Sequence, residues 1–175
     1  MKKQGGFTLI ELVLVIGLLA ISVGVTNDIL ISLIRSNNKT QIIGEIEQQS
    51  NFVSLKIEKE LRNARVASVP ADGDSGTTLN FETRDGDQIE YNVDVDSGVV
   101  YRVGGVGGPS LELTNNAIPG GVKVACGSPN CFSVTGSSPQ IVSIKMIFSQ
   151  AQSTPVSAFA GTINIDSTVV IRNTY

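Results

Sequence analysis

The 175-residue sequence contains no histidine and no tryptophan, and its only cysteines are Cys126 and Cys131. Without histidine, the chain lacks the side chain that most often serves as a general base, a zinc ligand or a group titrating near neutral pH. A histidine-based catalytic triad is therefore excluded, and we expect no cofactor and no resident metal. The glycine-rich stretch 104–108 has no following Lys-Ser/Thr pair, so it is not a phosphate-binding loop. We expect the protein not to be an enzyme.

The chain also lacks a large excess of charge of either sign, with 13 basic and 16 acidic residues and a formal net charge of −3. This balance argues against a broad electrostatic footprint for nucleic acid. A local basic patch stays open, and the residues that would form it are Arg84, Arg102, Lys123, Lys145 and Arg172. We expect these five residues to be scattered, and therefore expect no tight binding of nucleic acid.

One long hydrophobic run is present, from Phe7 to Val25, and it follows Lys2 and Lys3. Its length is close to the roughly 20 residues that a helix needs to cross a bilayer, and it exceeds the usual signal-peptide core of about 7–15 residues. The lysines predict a cytoplasmic N-terminus, with everything after the span outside the cytoplasm. Glu11 is the exception within the run, because a carboxylate costs on the order of 2–3 kcal/mol near the bilayer centre and less near its edge.

The string Gly5-Gly6-Phe7-Thr8-Leu9-Ile10-Glu11, with lysines before it and the apolar span after it, resembles the class III signal of type IV prepilins. The resemblance implies that a prepilin peptidase cuts between Gly6 and Phe7 and methylates the new amine of Phe7. Glu11 is then the fifth residue of the mature chain, and a cut after Gly5 would misplace it by one. The resemblance also implies that Glu11 of one subunit pairs with the N-terminal amine of a neighbour, since each charge alone is costly in an apolar core.

Apolar residues continue at helical spacing after the span, and they are Ile42, Ile46, Val53, Ile57, Leu61 and Ala64. We therefore predict one long helix from about Phe7 to about Ala67, whose opposite side carries polar and charged residues, including Glu60. The remainder alternates like strands separated by Asp- and Gly-rich turns. The predicted strands are Thr77–Thr83, Gln88–Val95, Val99–Val103, Gln140–Phe148 and Thr162–Arg172. The fold class is α+β, a long N-terminal helix packed on an antiparallel β-sheet domain.

Four regions follow from this pattern. They are a leader peptide at 1–6, a transmembrane and filament-core helix at 7–27, the amphipathic half of the helix at 28–68, and a β-rich globular region at 69–175. The first two regions depend on the prepilin resemblance, and the last two depend on the change from helical to alternating periodicity.

Cys126 and Cys131 lie five positions apart, and two thiols without histidine make a poor metal site. In an oxidising compartment a short-loop disulfide is the simpler interpretation, while a redox role would need a tighter motif and an activated thiolate. The acidic clusters 72–74 and 94–98 are rich in the oxygen ligands that calcium prefers. Neither follows the EF-hand spacing, and Asp and Gly are also favoured in turns for backbone reasons, so turn chemistry is the preferred interpretation.

The resemblance implies a structural role, as a minor pilin of a type IV pilus-type filament. The protein would be single-pass in the inner membrane, with its C-terminal domain periplasmic or extracellular, before it enters the filament. Two alternatives stay open: a minor pseudopilin of a type II secretion system, or a tip subunit that binds DNA or a surface. The expected partners are other pilin or pseudopilin subunits, the prepilin peptidase-methylase and the inner-membrane assembly platform, with nucleic acid only at a tip.

Overall fold

The computed structural model describes residues 8–105, 107–118, 120–128, 130–151 and 161–172. Within them the chain forms one helix followed by strands, so the predicted α+β class is confirmed. The elements are α1 (Leu9–Arg62), β1 (Ala64–Val69), β2 (Ser75–Gly76), β3 (Thr78–Thr83), β4 (Gln88–Asp94), β5 (Val99–Gly104), β6 (Ser110–Glu112), β7 (Val122–Cys126), β8 (Phe132–Thr135), β9 (Gln140–Gln150) and β10 (Thr162–Ile171). The chain divides into two compact units, Met1–Thr40 and Gln41–Tyr175.

In the first unit, the described residues belong almost entirely to α1. The large apolar side chains here are exposed, from Leu9 at 82% to Ile34 at 60% of full exposure. The exposed apolar surface thus extends beyond Val25, where the hydrophobic run was expected to end, because Thr26, Asn27 and Asp28 interrupt it for only three positions. By length and composition, α1 is long and apolar enough to cross a membrane.

The second unit contains two antiparallel sheets. The first sheet has the strand order β1-β3-β4-β5-β6. In it β3, β4 and β5 correspond to three consecutive predicted strands, and β6 continues the meander beyond them. The second sheet has the order β10-β9-β8-β2, with β7 also paired to β9. The long predicted strands at Gln140 and Thr162 pair with each other over ten residue pairs, from Thr162–Ser149 to Ile171–Gln140. They belong to this second sheet, so the β-rich region has two sheets.

The core lies where the amphipathic part of α1 meets the inner faces of both sheets. The predicted helix face is confirmed at Ile46, Val53, Ile57 and Leu61, which are all buried. Strands β3, β4 and β9 bury every second residue over most of their length, as the period of two requires. The largest fully buried side chains of the sheets are Leu79, Phe81, Tyr91, Phe132, Ile144, Met146, Phe148 and Ile171.

The helix ends at Arg62, earlier than the predicted end near Ala67, and β1 occupies Ala64–Val69. The predicted amphipathic region 28–68 therefore contains a strand. Ala64 and Ala67 are buried as expected, but from a strand that pairs with β3. Short apolar segments fit either period, and Pro70 disfavours helix at the residue before it. Pairing with β3 supplies the backbone hydrogen bonds that a longer helix would otherwise supply.

Candidate functional sites

The first candidate site is the start of α1. Thr8 directly precedes the helix, and its backbone N–H and its hydroxyl both lie 3.4 Å from Oε2 of Glu11. Thr8 is the N-cap and Glu11 is the third helical residue, and the Glu11 carboxylate accepts the N-cap N–H as in one half of a capping box, while the N–H of Glu11 donates to the Thr8 carbonyl. The sequence Thr8-Leu9-Ile10-Glu11 contains the S/T-x-x-E signature of this motif, so the contact between Thr8 and Glu11 could have been predicted from the sequence. Gly6 and Phe7, the predicted cleavage and methylation residues, lie outside the described residues.

The second site is a polar cluster around Glu60, which connects α1 to the first sheet. Tyr91, on β4, donates its hydroxyl proton to Oε2 of Glu60 over 2.7 Å. The Nε of Arg102, on β5, lies 3.1 and 3.0 Å from the two carboxylate oxygens, and the Nζ of Lys56 lies 3.3 Å from Oε1. The Glu60 side chain is only 19% exposed. Helical periodicity placed Glu60 on the polar side of α1, and the structure shows that the first sheet covers this second side of the helix.

The cluster keeps its charges at neutral pH. Burial alone would raise the pKa of Glu60, but hydrogen bonds from Tyr91 and Arg102, with the charges of Arg102 and Lys56, outweigh it and lower that pKa. Burial, followed by the hydrogen bond to the Glu60 carboxylate, strongly raises the pKa of Tyr91. Burial opposes the charge of Arg102, and its hydrogen bond to Glu60 nevertheless raises its pKa. A neutral phenol and a guanidinium therefore both donate to a carboxylate.

A second glutamate connects α1 to the other sheet. The hydroxyl of Ser167, on β10, donates to Oε1 of Glu58 over 2.6 Å, and Ser54 donates to the same oxygen over 3.3 Å. Two residues along a helix correspond to a rotation of about 200°. Glu58 and Glu60 therefore point to different sides of α1, and each carboxylate fixes one sheet to the helix.

The two sheets are also joined directly, by the buried side chain of Gln140. Its Oε1 accepts the backbone N–H of Ala67 over 2.8 Å, and its Nε2 donates to the carbonyl of Ala67 over 3.1 Å. Gln140 begins β9 in the second sheet, whereas Ala67 belongs to β1 in the first sheet. One amide thus satisfies both backbone groups of a buried residue, which would otherwise be costly to bury.

The structure contains a disulfide between Cys126 and Cys131, the pairing that the sequence analysis favoured. Cys126 ends β7, and Cys131 directly precedes β8. Both strands pair with β9 on the side opposite to β10, with Cys126 opposite Met146 and Phe132 opposite Ile144. The disulfide therefore closes the short loop between β7 and β8, two strands that pair one after the other with the same edge of β9.

The acidic clusters serve as turn residues in this structure. Oδ1 of Asp94 accepts the backbone N–H of Asp96 over 3.0 Å, and Oδ2 accepts the hydroxyl of Ser97 over 2.7 Å. The hydrogen bond from Ser97, with the backbone hydrogen bonds, lowers the pKa of Asp94. Asp72 accepts the backbone N–H of Gly136 over 2.7 Å. The Asp94 contacts are the local hydrogen bonds that turns favour, whereas the Asp72 contact joins two loops that are 64 positions apart in the sequence.

The five basic residues considered for nucleic acid fall in different environments. Arg102 pairs with Glu60, and the Nζ of Lys145 lies 3.7 Å from Oδ2 of Asp166. Lys123 packs its aliphatic carbons over the backbone of the turn at Gly98. Arg84 and Arg172, in contrast, line the same cavity. A third arginine that the sequence analysis did not consider, Arg62, lines it with them.

Comparison with protein families identifies the N-terminal segment. The model described as the prokaryotic N-terminal methylation motif matches residues 1–26. Comparison with curated proteins and with solved structures found no match. The matched residues contain the predicted cleavage string, the capping glutamate and most of the exposed apolar surface of α1. The resemblance seen in the sequence is confirmed over these residues: the chain carries the N-terminal methylation motif, which is the class III signal of type IV prepilins.

Proposed function

We propose that this chain is a minor subunit of a type IV pilus-type filament. The observation that carries the proposal is the methylation motif at residues 1–26, followed directly by an α1 surface whose large apolar side chains are exposed from Leu9 to Ile34. A contiguous apolar surface of this size requires lipid or a protein partner. A bilayer covers it before assembly, and the helices of neighbouring subunits cover it afterwards, at roughly 25 cal/mol per Å² of apolar surface buried.

In this proposal the inner membrane holds the precursor as a single-pass protein, with the unit Gln41–Tyr175 on the outer side. Lys2 and Lys3 support this orientation through the preference of basic residues for the cytoplasmic side. The prepilin peptidase cuts between Gly6 and Phe7 and methylates Phe7. The inner-membrane assembly platform then transfers the mature chain from the bilayer to the filament.

Glu11 has two roles in the proposal. In the single chain it caps the helix through Thr8, 3.4 Å away. In the filament its carboxylate pairs with the N-terminal amine of a neighbour, which sets the register of one subunit against the next. Both charges are costly in an apolar core unless they are paired, so subunits out of register are disfavoured.

Substitution of Glu11 by alanine and by glutamine separates these two roles. Glutamine at the third helical position still accepts the capping hydrogen bond but carries no charge. We expect both Glu11→Ala and Glu11→Gln to reach wild-type levels in membranes and to be depleted at least ten-fold from sheared filaments. Wild-type levels of Glu11→Gln in sheared filaments would show that capping, and not charge pairing, is the function of this residue.

The proposal as a whole is tested by mass spectrometry of the N-terminal peptide from membranes and from sheared surface filaments. We expect a peptide that begins at Phe7 and carries one added methyl group in both fractions. The processed peptide in membranes alone would favour the alternative, a minor pseudopilin of a type II secretion system. A peptide that begins at Met1, or one cut after the hydrophobic run, would refute the prepilin assignment.

A further inference from the structure

A cavity of about 470 Å³ lies at one end of the second unit. It is formed by the last residue of α1, the turn between β3 and β4, and the end of β10. Its lining residues are Arg62, Arg84, Thr168, Val169, Val170 and Arg172. Three arginines from three separate elements thus converge on one cavity, which we call the arginine cleft.

The three guanidinium groups have no acidic partner among the residues that the structure describes. The ion pairs found there use Lys56, Arg65, Arg102 and Lys145, and none uses an arginine of the cleft. Residues 41–175 contain nine basic and fourteen acidic residues, a formal net charge of −5. In a unit with an excess of acidic groups, three arginines that form no ion pair with any described residue converge on one cavity, which composition alone does not explain.

Helix capping accounts for only one of the three. Arg62 ends α1, where a cation stabilises the negative end of the helix dipole. Arg84 and Arg172 belong to no helix, and placing them beside Arg62 at the end of α1 costs mutual repulsion. Asp85 and Asp87 share a turn with Arg84 but are not among the residues that line the cleft.

The backbone around the cleft is held by contacts with the core. The backbone N–H of Arg84 donates to the carbonyl of Asn63 over 3.2 Å, which joins the β3–β4 turn to the end of α1. Arg172 directly follows Ile171, which is 1% exposed and pairs with Gln140 on β9. The arginines therefore project from fixed positions, and less conformational entropy is lost when an anion is bound.

We propose that the arginine cleft binds a compact phosphorylated molecule through a phosphoryl group with at least two negative charges. The planar donors of arginine match phosphate oxygens and bind them in a bidentate manner. A volume of about 470 Å³ lies within the range of small-molecule sites and leaves room for more than the phosphoryl group. Val170, whose side chain is 46% exposed, supplies apolar contact for the remainder of the ligand.

A nucleic-acid polymer fits the cleft less well. Three cations are fewer than the roughly six to ten phosphate contacts of a typical duplex-binding protein. None of the described residues that line the cleft is aromatic, so they supply no surface for base stacking. The proposal does not depend on the filament assignment, because it uses only side chains of the second unit.

The test is isothermal titration calorimetry of the full chain in non-ionic detergent, with pyrophosphate as the probe. We expect saturable binding, weakened about ten-fold by Arg84→Gln and by Arg172→Gln, since each removes one charged hydrogen-bonding group. The matched control is Arg65→Gln, which removes the same charge from an arginine paired with Glu82 outside the cleft. Its affinity for pyrophosphate should equal that of the wild type, and circular dichroism should show that all three variants are folded.

Absence of pyrophosphate binding at millimolar concentration, or equal weakening by Arg65→Gln, would overturn the proposal. A 20-base-pair DNA duplex serves as the second probe. The proposal would be overturned if the duplex bound more tightly than pyrophosphate and the logarithm of its association constant fell with the logarithm of the salt concentration at a slope of about −2.7. The ligand would then be a phosphodiester polymer and not a compact molecule.

Discussion

The Glu60 cluster offers the sharpest test of how the helix is fixed to the first sheet. Substitution of Glu60 by alanine removes the acceptor for both Tyr91 and Arg102. A hydrogen bond to a charged group contributes about 1.5–3 kcal/mol, and a buried group left without a partner costs about 1–3 kcal/mol. Tyr91 is fully buried, so its hydroxyl would lose its acceptor, whereas Glu60 is 19% exposed and water can partly replace the lost carboxylate. We therefore expect the free energy of unfolding to fall by about 2–3 kcal/mol.

The measurement is urea denaturation of the full chain in detergent, followed by circular dichroism of the sheets and by tyrosine fluorescence, since the chain has no tryptophan. The matched control is Glu47→Ala, the same change on an exposed position of the same helix, which should stay within about 0.5 kcal/mol of the wild type. Tyr91→Phe should cost about 1 kcal/mol, and the double variant with Glu60→Ala should show coupling between the two residues of about 1 kcal/mol.

The pH dependence gives an independent check. The pKa of Glu60 is lowered in the folded protein, so its stabilising effect is complete above the ordinary glutamate pKa of about 4.3 and is lost as the pH falls through the lower, folded value. The stability difference between the wild type and Glu60→Gln should therefore shrink below about pH 4.3. A difference that stays constant from pH 7 to pH 3, or a Glu60→Ala variant as stable as Glu47→Ala, would refute this account.

Two further predictions concern the β-rich unit. Gln140→Leu keeps the approximate volume of the side chain but removes the hydrogen-bond partners of the buried N–H and C=O of Ala67. We expect the free energy of unfolding in the same urea experiment to fall by about 2–4 kcal/mol. A decrease below about 1 kcal/mol would show that water replaces the lost amide. Replacing both Cys126 and Cys131 by serine should lower the stability by about 2 kcal/mol, because the loop is short, while the β-sheet signal in circular dichroism stays native. Loss of that signal at 25 °C would show that the disulfide is required for β7 and β8 to pair with β9.

Local sequence patterns were sufficient to predict much of the architecture. The apolar helix, the longer strands and the α+β class each follow from periodicity within a single segment, which requires no knowledge of distant contacts. The five predicted strands all exist, whereas β1, β2, β6, β7 and β8 were not predicted. Most of these strands are short, and they form because a partner strand is adjacent in the fold, so their own patterns are weak.

The sequence by itself identified the N-terminal methylation motif and the apolar span. Each is formed by residues that are consecutive in the chain, so no tertiary contact is needed to recognise it. The tertiary structure alone decided which polar side chains meet. Glu60 and Arg102 are 42 positions apart, and the arginines of the cleft come from a helix end, a turn and a strand end. Helical periodicity placed Glu60 on the polar side of α1 because it describes one buried face, whereas two sheets cover two sides of this helix.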